Sequence, residues 1–527
     1  MPPIELVVAL LIVSIPIIAL ARRIGIPYPV VLIITGLVLG FVPGLPRIEL
    51  PPDLILVLFL PPLLYWESVT APTDEMRTNA AWIWPMALGL IVATTIGVGV
   101  TAHAIIPGMG WAVAFALGAI VSPTDELAVT VTLERFRVPR RVIAIIEGES
   151  LLNDAVSLVI YAAAISAVAS AVFSWSGALL RFLLAGAGAI VIGVLAGWLA
   201  VQAWRRVEDP QVAGLISLVL PFVAYVPAYR YDLSGVLAVV AAGVYANRFS
   251  PSVITAATRL WGTGFWESIV FLANVVIFTL VGLQLHTIVA ALSSFSPTTL
   301  IFYALAVNVV VFAIRFAWVF GQGYSFFLMR RHRRRSTTGW KDLVVVAWAG
   351  PRGAISLAAA LAIPLVLTNG QPFPKRDLVV FLTFSVILVT LVGAALTLPA
   401  VIKWLKIEGD DVTRREERKA LEAMATAAVV RLDELEEHRQ LAPQLAEVLR
   451  RRYQRRKAQA VHHRDGEAPR EDELAKQFID AEQQILDTQR STLIQLRNHG
   501  EIDNVVLRHL QLILDMQQAQ LDERWHV

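Results

Sequence analysis

The sequence predicts an all-α polytopic membrane protein, with about 13 transmembrane helices and a helical cytosolic tail, on three observations. Of the 527 residues, 56% are apolar and 17% charged, and the mean hydropathy is +0.63, a value rarely seen in a soluble globular domain of this size. Apolar runs matching the roughly 20 helical residues needed to cross a bilayer core about 30 Å thick recur along the chain. The charge is also segregated: residues 1–405 are almost charge-free in long stretches, whereas 406–527 are dense in Arg, Glu, Gln and Asp. Two regions follow, a transmembrane domain over 1–405 and a cytosolic helical tail over 406–527.

The predicted spans are 4–21, 27–43, 53–70, 81–106, 111–133, 140–170, 178–204, 211–228, 233–247, 260–286, 298–329, 341–368 and 377–405. Met1 opens on an apolar run without a basic n-region or an A-x-A site, so 4–21 reads as a first span and not as a signal peptide. Loops on one side of the resulting weave hold 17 Lys and Arg, among them Arg140, Arg141, Arg205 and the Arg330–Arg335 cluster, against 5 on the other. The positive-inside rule then places the N-terminus outside and the tail in the cytoplasm of a multi-pass protein of the cell inner (plasma) membrane. The Arg surplus sits between apolar spans, which argues against nucleic-acid binding. No Cys is present, so disulfides, thiolate metal sites and redox motifs are excluded. Gly186, Gly188 and Gly193 follow no strand and precede no G-K-[ST], so they read as close helix packing and not as a phosphate loop. No Walker A or selectivity-filter pattern occurs, against a primary pump or a potassium-type channel. The tail opens with Glu408-Gly409-Asp410-Asp411 and repeats apolar positions at three and four residues, as in Leu432, Leu435, Leu441 and Leu445, the pattern of packed helices that dimerise or regulate, with a ligand-sensing module as the alternative.

Ionisable groups in mid-bilayer are costly, so each one inside a span is a functional candidate. The candidates are Glu67, Asp125, Glu126, Glu147, Glu149, Asp154, Glu267, Arg315 and Arg352. Pro123 removes a backbone donor in the fifth span, so the helix should break near Ser122–Asp125 and free carbonyls to face a cavity. In the sixth span helical spacing puts Ser150 and Asp154 on one face, Glu149 and Asn153 on the adjoining one. A hydroxyl and a carboxylate suit a hard monovalent cation, and burial disfavours a carboxylate's charged form, so one Asp can hold either a proton or a cation. Gly350, Pro351 and Gly353 interrupt the twelfth span in the same way. Two interrupted spans in the two halves of a chain point to an inverted repeat with the site at their crossing. Arg352 would keep half-helix ends of like sign from repelling each other, and a buried Arg315 needs an anion, for which Glu149 is the first candidate.

Ser122-Pro-Thr-Asp125, Glu149-Ser-Leu-Leu-Asn-Asp154 and Gly350-Pro-Arg-Gly-Ala354 together resemble the monovalent cation/proton antiporter-1 family, the sodium/proton exchangers of bacteria and animals. The likeness covers about 400 residues and includes Leu60-Pro-Pro-Leu-Leu64 and Trp266 to Asn274, and Leu496 to Ile502 of the tail is similar to the bacterial branch. The resemblance implies a transporter and no enzyme: a homodimer in the lipid bilayer, with a core domain that moves like an elevator against a dimerisation domain. It implies exchange of Na⁺ or Li⁺ for H⁺ by alternating access, with no cofactor, and Asp154 as ion carrier. Asp125, Ser150 and the Thr124 carbonyl would complete a Na⁺ shell with Asp154, with Asn153 beside them, and Glu149, Arg315 and Arg352 would support it. Asn153, standing where a second Asp accompanies electrogenic exchange, implies one proton for one cation. A potassium/proton exchanger of the same architecture is the runner-up, since the ligand chemistry is shared. A gated channel or membrane sensor is the distant third, because it would need an open polar line through both leaflets. Two positions depart from the family pattern. Glu126 stands where a small residue or Pro is usual and adds a carboxylate that either widens ion choice or contacts an Arg at the bundle surface, the second being the preferred reading; Glu67 comes one residue late, about 100° around a helix, and reads as lying outside the ion path.

Overall fold

The computed structural model describes residues 3–24, 28–40, 52–136, 138–170, 175–231, 233–293, 295–329, 339–367, 370–407, 412–438, 443–462, 470–499, 510–511 and 514–518. The chain forms two compact units, Met1–Asp410 and Asp411–Val527. Among the described residues both are helical, apart from one isolated bridge between Val366 and Pro372.

In the first unit α1 (Pro3–Ile24), α2 (Tyr28–Gly40) and α3 (Pro52–Thr70) follow the first three predicted spans. A short α4 (Thr73–Thr78) leads into α5 (Ala80–Trp84), which continues through a π-helical turn, Pro85–Leu90, into α6 (Ile91–Ile105). Pro85, which brings no N–H to the helix ladder, begins that wider turn. The fifth span divides into α7 (Trp111–Val121) and α8 (Leu127–Arg135), and α9 (Arg140–Ser170) and α10 (Trp175–Trp204) come next. Asp209 caps α11 (Pro210–Arg230) by accepting from Gln211 N at 2.7 Å, with Pro210 at the first helical position; Ser234 caps α12 (Gly235–Val253) in the same manner. After α13 (Ala256–Ala291) and α14 (Pro297–Met329), the twelfth span divides into α15 (Trp340–Trp348) and α16 (Ala354–Leu361), and α17 (Arg376–Leu405) closes the unit. Among the described residues seven helical stretches are long and apolar enough to cross a membrane alone, the π-containing Ala80–Ile105 among them, and shorter apolar helices accompany them.

Small residues bring these helices together. A Cβ on Gly36 of α2 would meet the Thr279 carbonyl of α13, and one on Gly282 would meet the Ile33 carbonyl, so the two backbones touch. Gly186, Gly188 and Gly193 of α10 face Leu237, Leu233 and the Ala238 carbonyl of the α12 segment, the close packing expected from the sequence. Large apolar side chains such as Ile15, Val191, Leu195, Ile301, Leu305 and Trp404 stand exposed on the outside, which suits a hydrocarbon solvent. Arg47 and the Arg330–Arg335 cluster, part of the charge count across the weave, lie outside the described residues, as do Glu408–Asp411 and Leu441.

The second unit consists of α18 (Val412–Glu437), α19 (Pro443–His462) and α20 (Arg470–Asn498). Leu432 of α18 and Ala446 of α19 are buried, and Arg450 of α19 reaches both Asp433 and Glu436 of α18 at 2.7 Å. Leu445, expected in the apolar repeat, is instead exposed.

Candidate functional site

The two interrupted spans cross at their breaks. Between α7 and α8 residues 122–126 leave the helix at Pro123, and between α15 and α16 residues 349–353 leave it around Pro351. The Asp125 N–H donates to the Pro351 carbonyl at 2.7 Å and so ties one break to the other. An ideal Cβ on Gly353 would fall on Asp125 Oδ2, and one on Gly350 would fall on Arg315 Nε. Both glycines are therefore needed for close approach.

Broken helices expose their terminal carbonyls, and the arginines take them up. Arg352, 1% exposed, donates from Nε to the Val121 carbonyl at 3.0 Å and from Nη1 to the Gly350 carbonyl at 2.5 Å, and its backbone N–H donates to Thr390 Oγ1 at 3.0 Å. It thus sits where the C-terminal ends of α7 and α15 meet. Arg315, also 1% exposed, pairs with Glu149 through Nη1 at 2.6 Å and Nη2 at 3.1 Å. Its remaining donors reach the carbonyls of Ala347 (3.0 Å), Val346 (2.9 Å) and Ala349 (3.3 Å) at the end of α15. The buried guanidinium has the anion that the sequence assigned to it.

From Glu149 the hydrogen bonds run to the first break. Thr124 Oγ1 donates to Glu149 Oε1 at 3.3 Å and accepts from Asn153 Nδ2 at 2.8 Å, while Ser150 Oγ donates to the Thr124 carbonyl at 2.9 Å. Three residues within little more than one turn of α9 therefore hold one residue of the broken helix in place. Beside it lies a small cavity of about 10 Å³, room for one water-sized occupant. Thr124, Asp125, Ser150 and Asp154 all line it, so four of the predicted residues converge. Asp154 is 3% exposed. Asn153 stands behind the cavity and reaches it through Thr124; Glu149, Arg315 and Arg352 form the layer beyond.

Two expectations change. Glu67 lines the cavity with Leu63, one turn away on the same face of α3, and a carboxylate oxygen, Oε2, is buried with no hydrogen-bond partner. An offset of 100° at one position does not fix a side chain's direction when the whole of α3 is free to rotate against its neighbours. Glu126 also turns inward. Its Oε2 is buried without a hydrogen-bond partner and is not set against a surface arginine. Glu267 is exposed on α13. Asn274 and Ser356 line the cavity too and were not singled out. Their signal was available, since Asn274 is an amide in an otherwise apolar run and Ser356 lies in the first turn after the second break.

Residues 7–404 match the family model described as sodium/hydrogen exchanger, transmembrane. The chain is 34% identical over 511 residues to an uncharacterized Na⁺/H⁺ exchanger of Mycobacterium tuberculosis, covering 95% of this chain and 93% of that one. It is 31% identical over 522 residues to an uncharacterized Na⁺/H⁺ exchanger of Escherichia coli, covering 94% of each. A sodium, potassium, lithium and rubidium/H⁺ antiporter of Bacillus subtilis is 34% identical over 388 residues, 71% of this chain and 57% of the relative. Among solved structures, the sodium proton antiporter MjNhaP1 from Methanocaldococcus jannaschii at pH 8 superposes with a TM-score of 0.60 at 20% identity, covering 74% of this chain and 98% of that one, a likeness of fold.

Proposed function

We propose, because the chain belongs to the transmembrane sodium/hydrogen exchanger family, that it exchanges Na⁺ or Li⁺ for H⁺ through one buried carrier, Asp154. Family membership makes it a cation/proton antiporter spanning the membrane several times, and not an enzyme. The observation that carries the finer reading is the cavity: Asp154, Asp125, the Ser150 hydroxyl and the Thr124 residue surround a space for one ion-sized occupant. Oxygen ligands alone suit a hard cation. A proton on Asp154 removes the charge that holds a cation there, so the two compete, and competition for one site exposed alternately to each side is sufficient for exchange.

The stoichiometry proposed is one for one. Asn153 cannot titrate, and Asp125 rests against Gly353 at the N-terminal end of α16, where the helix dipole favours a charged carboxylate. The transport unit is a homodimer in the plasma membrane, N-terminus outside, with the transmembrane domain ending near residue 405 and the tail in the cytoplasm. Potassium is the competing substrate. The broad cation range in the name of the Bacillus relative supports it, and the same oxygen ligands would serve. Proteoliposomes with a trapped pH-sensitive dye, challenged with Na⁺, Li⁺ and K⁺ in parallel, decide between them. Proton release driven by Na⁺ and Li⁺ but not by K⁺ is expected; equal responses to K⁺ would replace the sodium reading, and no response to any cation would remove antiport itself.

A further inference from the structure

In the tail, α18 turns Ala425 and Leu432 toward α19 and leaves its opposite side exposed. That side consists of two adjoining rows at i, i+4 spacing. One row reads Lys419, Ala423, Ala427, Arg431; the other reads Glu422, Thr426, Val430, Glu434. The first is basic at both ends, the second acidic at both ends, and the middle of each carries short side chains.

We propose that α18 pairs antiparallel with α18 of a second copy of this chain, about a two-fold axis passing between Thr426 and Ala427. A two-fold contact is self-complementary: if residue i meets residue j, then j meets i. With the axis at that point, Lys419 meets Glu434 of the second copy and Glu422 meets Arg431, while Ala423 meets Val430 and Thr426 meets Ala427. Each basic-ended row lies against the other copy's acidic-ended row. Both ion-pair types are then made twice, and the short central side chains let the helix axes come within about 8–10 Å. Displacing the axis by one turn of helix sets charges opposite the small residues and loses both kinds of pair. A parallel pair in register sets Lys419 level with Lys419 and Arg431 level with Arg431, which repel. Arg431 already touches Glu434 of its own helix at 2.7 Å, with side chains 66% and 50% exposed. An exposed contact of that kind is weak and leaves both groups free to bridge to the second copy. This pairing links the tails of two protomers and depends on nothing in the ion site.

The absence of Cys makes every introduced thiol unique in this 527-residue chain. Lys419→Cys and Glu434→Cys chains carrying different tags are co-expressed and oxidised in native membranes. The antiparallel pair predicts a disulfide between Lys419→Cys of one chain and Glu434→Cys of the other. Lys419→Cys should not bridge to itself, because the two copies of that position are separated by about 22 Å along the helices. Thr426→Cys should bridge to itself. Glu422→Lys should reduce that Thr426→Cys bridging several-fold at low salt, and adding Arg431→Glu should restore it. Lys419→Cys bridging to itself would replace the proposal with a parallel pair. A Thr426→Cys thiol that a maleimide labels but oxidation does not bridge would show that the face is not an interface between copies. Failure of the charge swap to restore bridging would remove the ion pairs from the account.

Discussion

Replacing Arg315 with Ala tests the polar layer behind the cavity. The substitution leaves Glu149 at 1% exposure with no cation beside it, and removes a donor from the carbonyls of Val346, Ala347 and Ala349 at the end of α15. Breaking a buried pair from one side costs about 3–5 kcal/mol, and each buried carbonyl left without a donor adds roughly 1–3 kcal/mol where water cannot reach it. Because the single substitution leaves room for water, a loss of about 3–5 kcal/mol is the expected net effect. Replacing both partners should behave differently, since exchanging a buried ion pair for neutral groups of similar volume is often neutral or stabilising. Arg315→Met with Glu149→Gln fits that description, and a Gln at 149 still offers Thr124 Oγ1 an acceptor. Thermal unfolding of the purified protein in detergent, followed by intrinsic fluorescence, measures both variants. The reasoning fails if Arg315→Ala unfolds at the wild-type temperature, or if the double variant is no more stable than the single one.

Asp154→Asn keeps the volume and removes the titrating group, so sodium-driven proton flux in proteoliposomes should vanish while the protein still inserts; measurable flux would end the single-carrier mechanism. Gly353→Ala places a methyl on Asp125 Oδ2, an overpacking of about 1–3 kcal/mol, and should weaken apparent sodium affinity by about tenfold; unchanged affinity would separate Asp125 from cation binding. Glu67→Gln removes one carboxylate charge from the cavity wall and should weaken sodium affinity by roughly several-fold at near-normal turnover, read from the sodium dependence of flux; no change would mean that Glu67 is neutral in the binding state. One-for-one exchange moves no net charge, whereas each uncompensated charge would feel about 2.3 kcal/mol per 100 mV. Flux in vesicles clamped with potassium and valinomycin should therefore be independent of voltage, and a steep dependence would overturn the count.

The parts of this site that were legible in the sequence are those with local causes or few solutions. Pro123 and Pro351 mark the breaks because a missing N–H acts within one turn, although Pro221, Pro227 and Pro399 lie inside unbroken helices, so the glycines beside Pro351 and the polar residues beside Pro123 are part of the signal. Arg315 and Glu149 are 166 positions apart, yet the pairing could be named because a buried guanidinium must find an anion and few anions were on offer. Glu67 and Glu126 were misplaced for a different reason. Whether Glu67 faces α9 or lipid depends on how α3 rotates against its neighbours, a property of several helices at once. Glu126 occupies the last position of the break, where neither helical nor strand periodicity assigns a direction to a side chain. The size of the cavity belongs to the same class, since it is the difference between large packed volumes contributed by α3, α9, α13 and both breaks.

The crossing also explains why Arg352 and Asp125 have opposite signs. Two antiparallel broken helices bring C-terminal ends together on one side of the crossing and N-terminal ends on the other, so each side gathers partial charge of one sign. Arg352 lies on the first side, donating to the carbonyls of Val121 and Gly350. Asp125 lies on the second, against Gly353 just before α16 and two residues ahead of α8. Its carboxylate thus has fixed partners whether or not a cation is present. Asp154 sits inside the unbroken α9, with no helix end of its own. A carboxylate compensated by fixed dipoles can stay charged through a cycle, while one without them needs a mobile cation or a proton. That contrast is the physical basis for proposing Asp154, and not Asp125, as the group that exchanges one for the other.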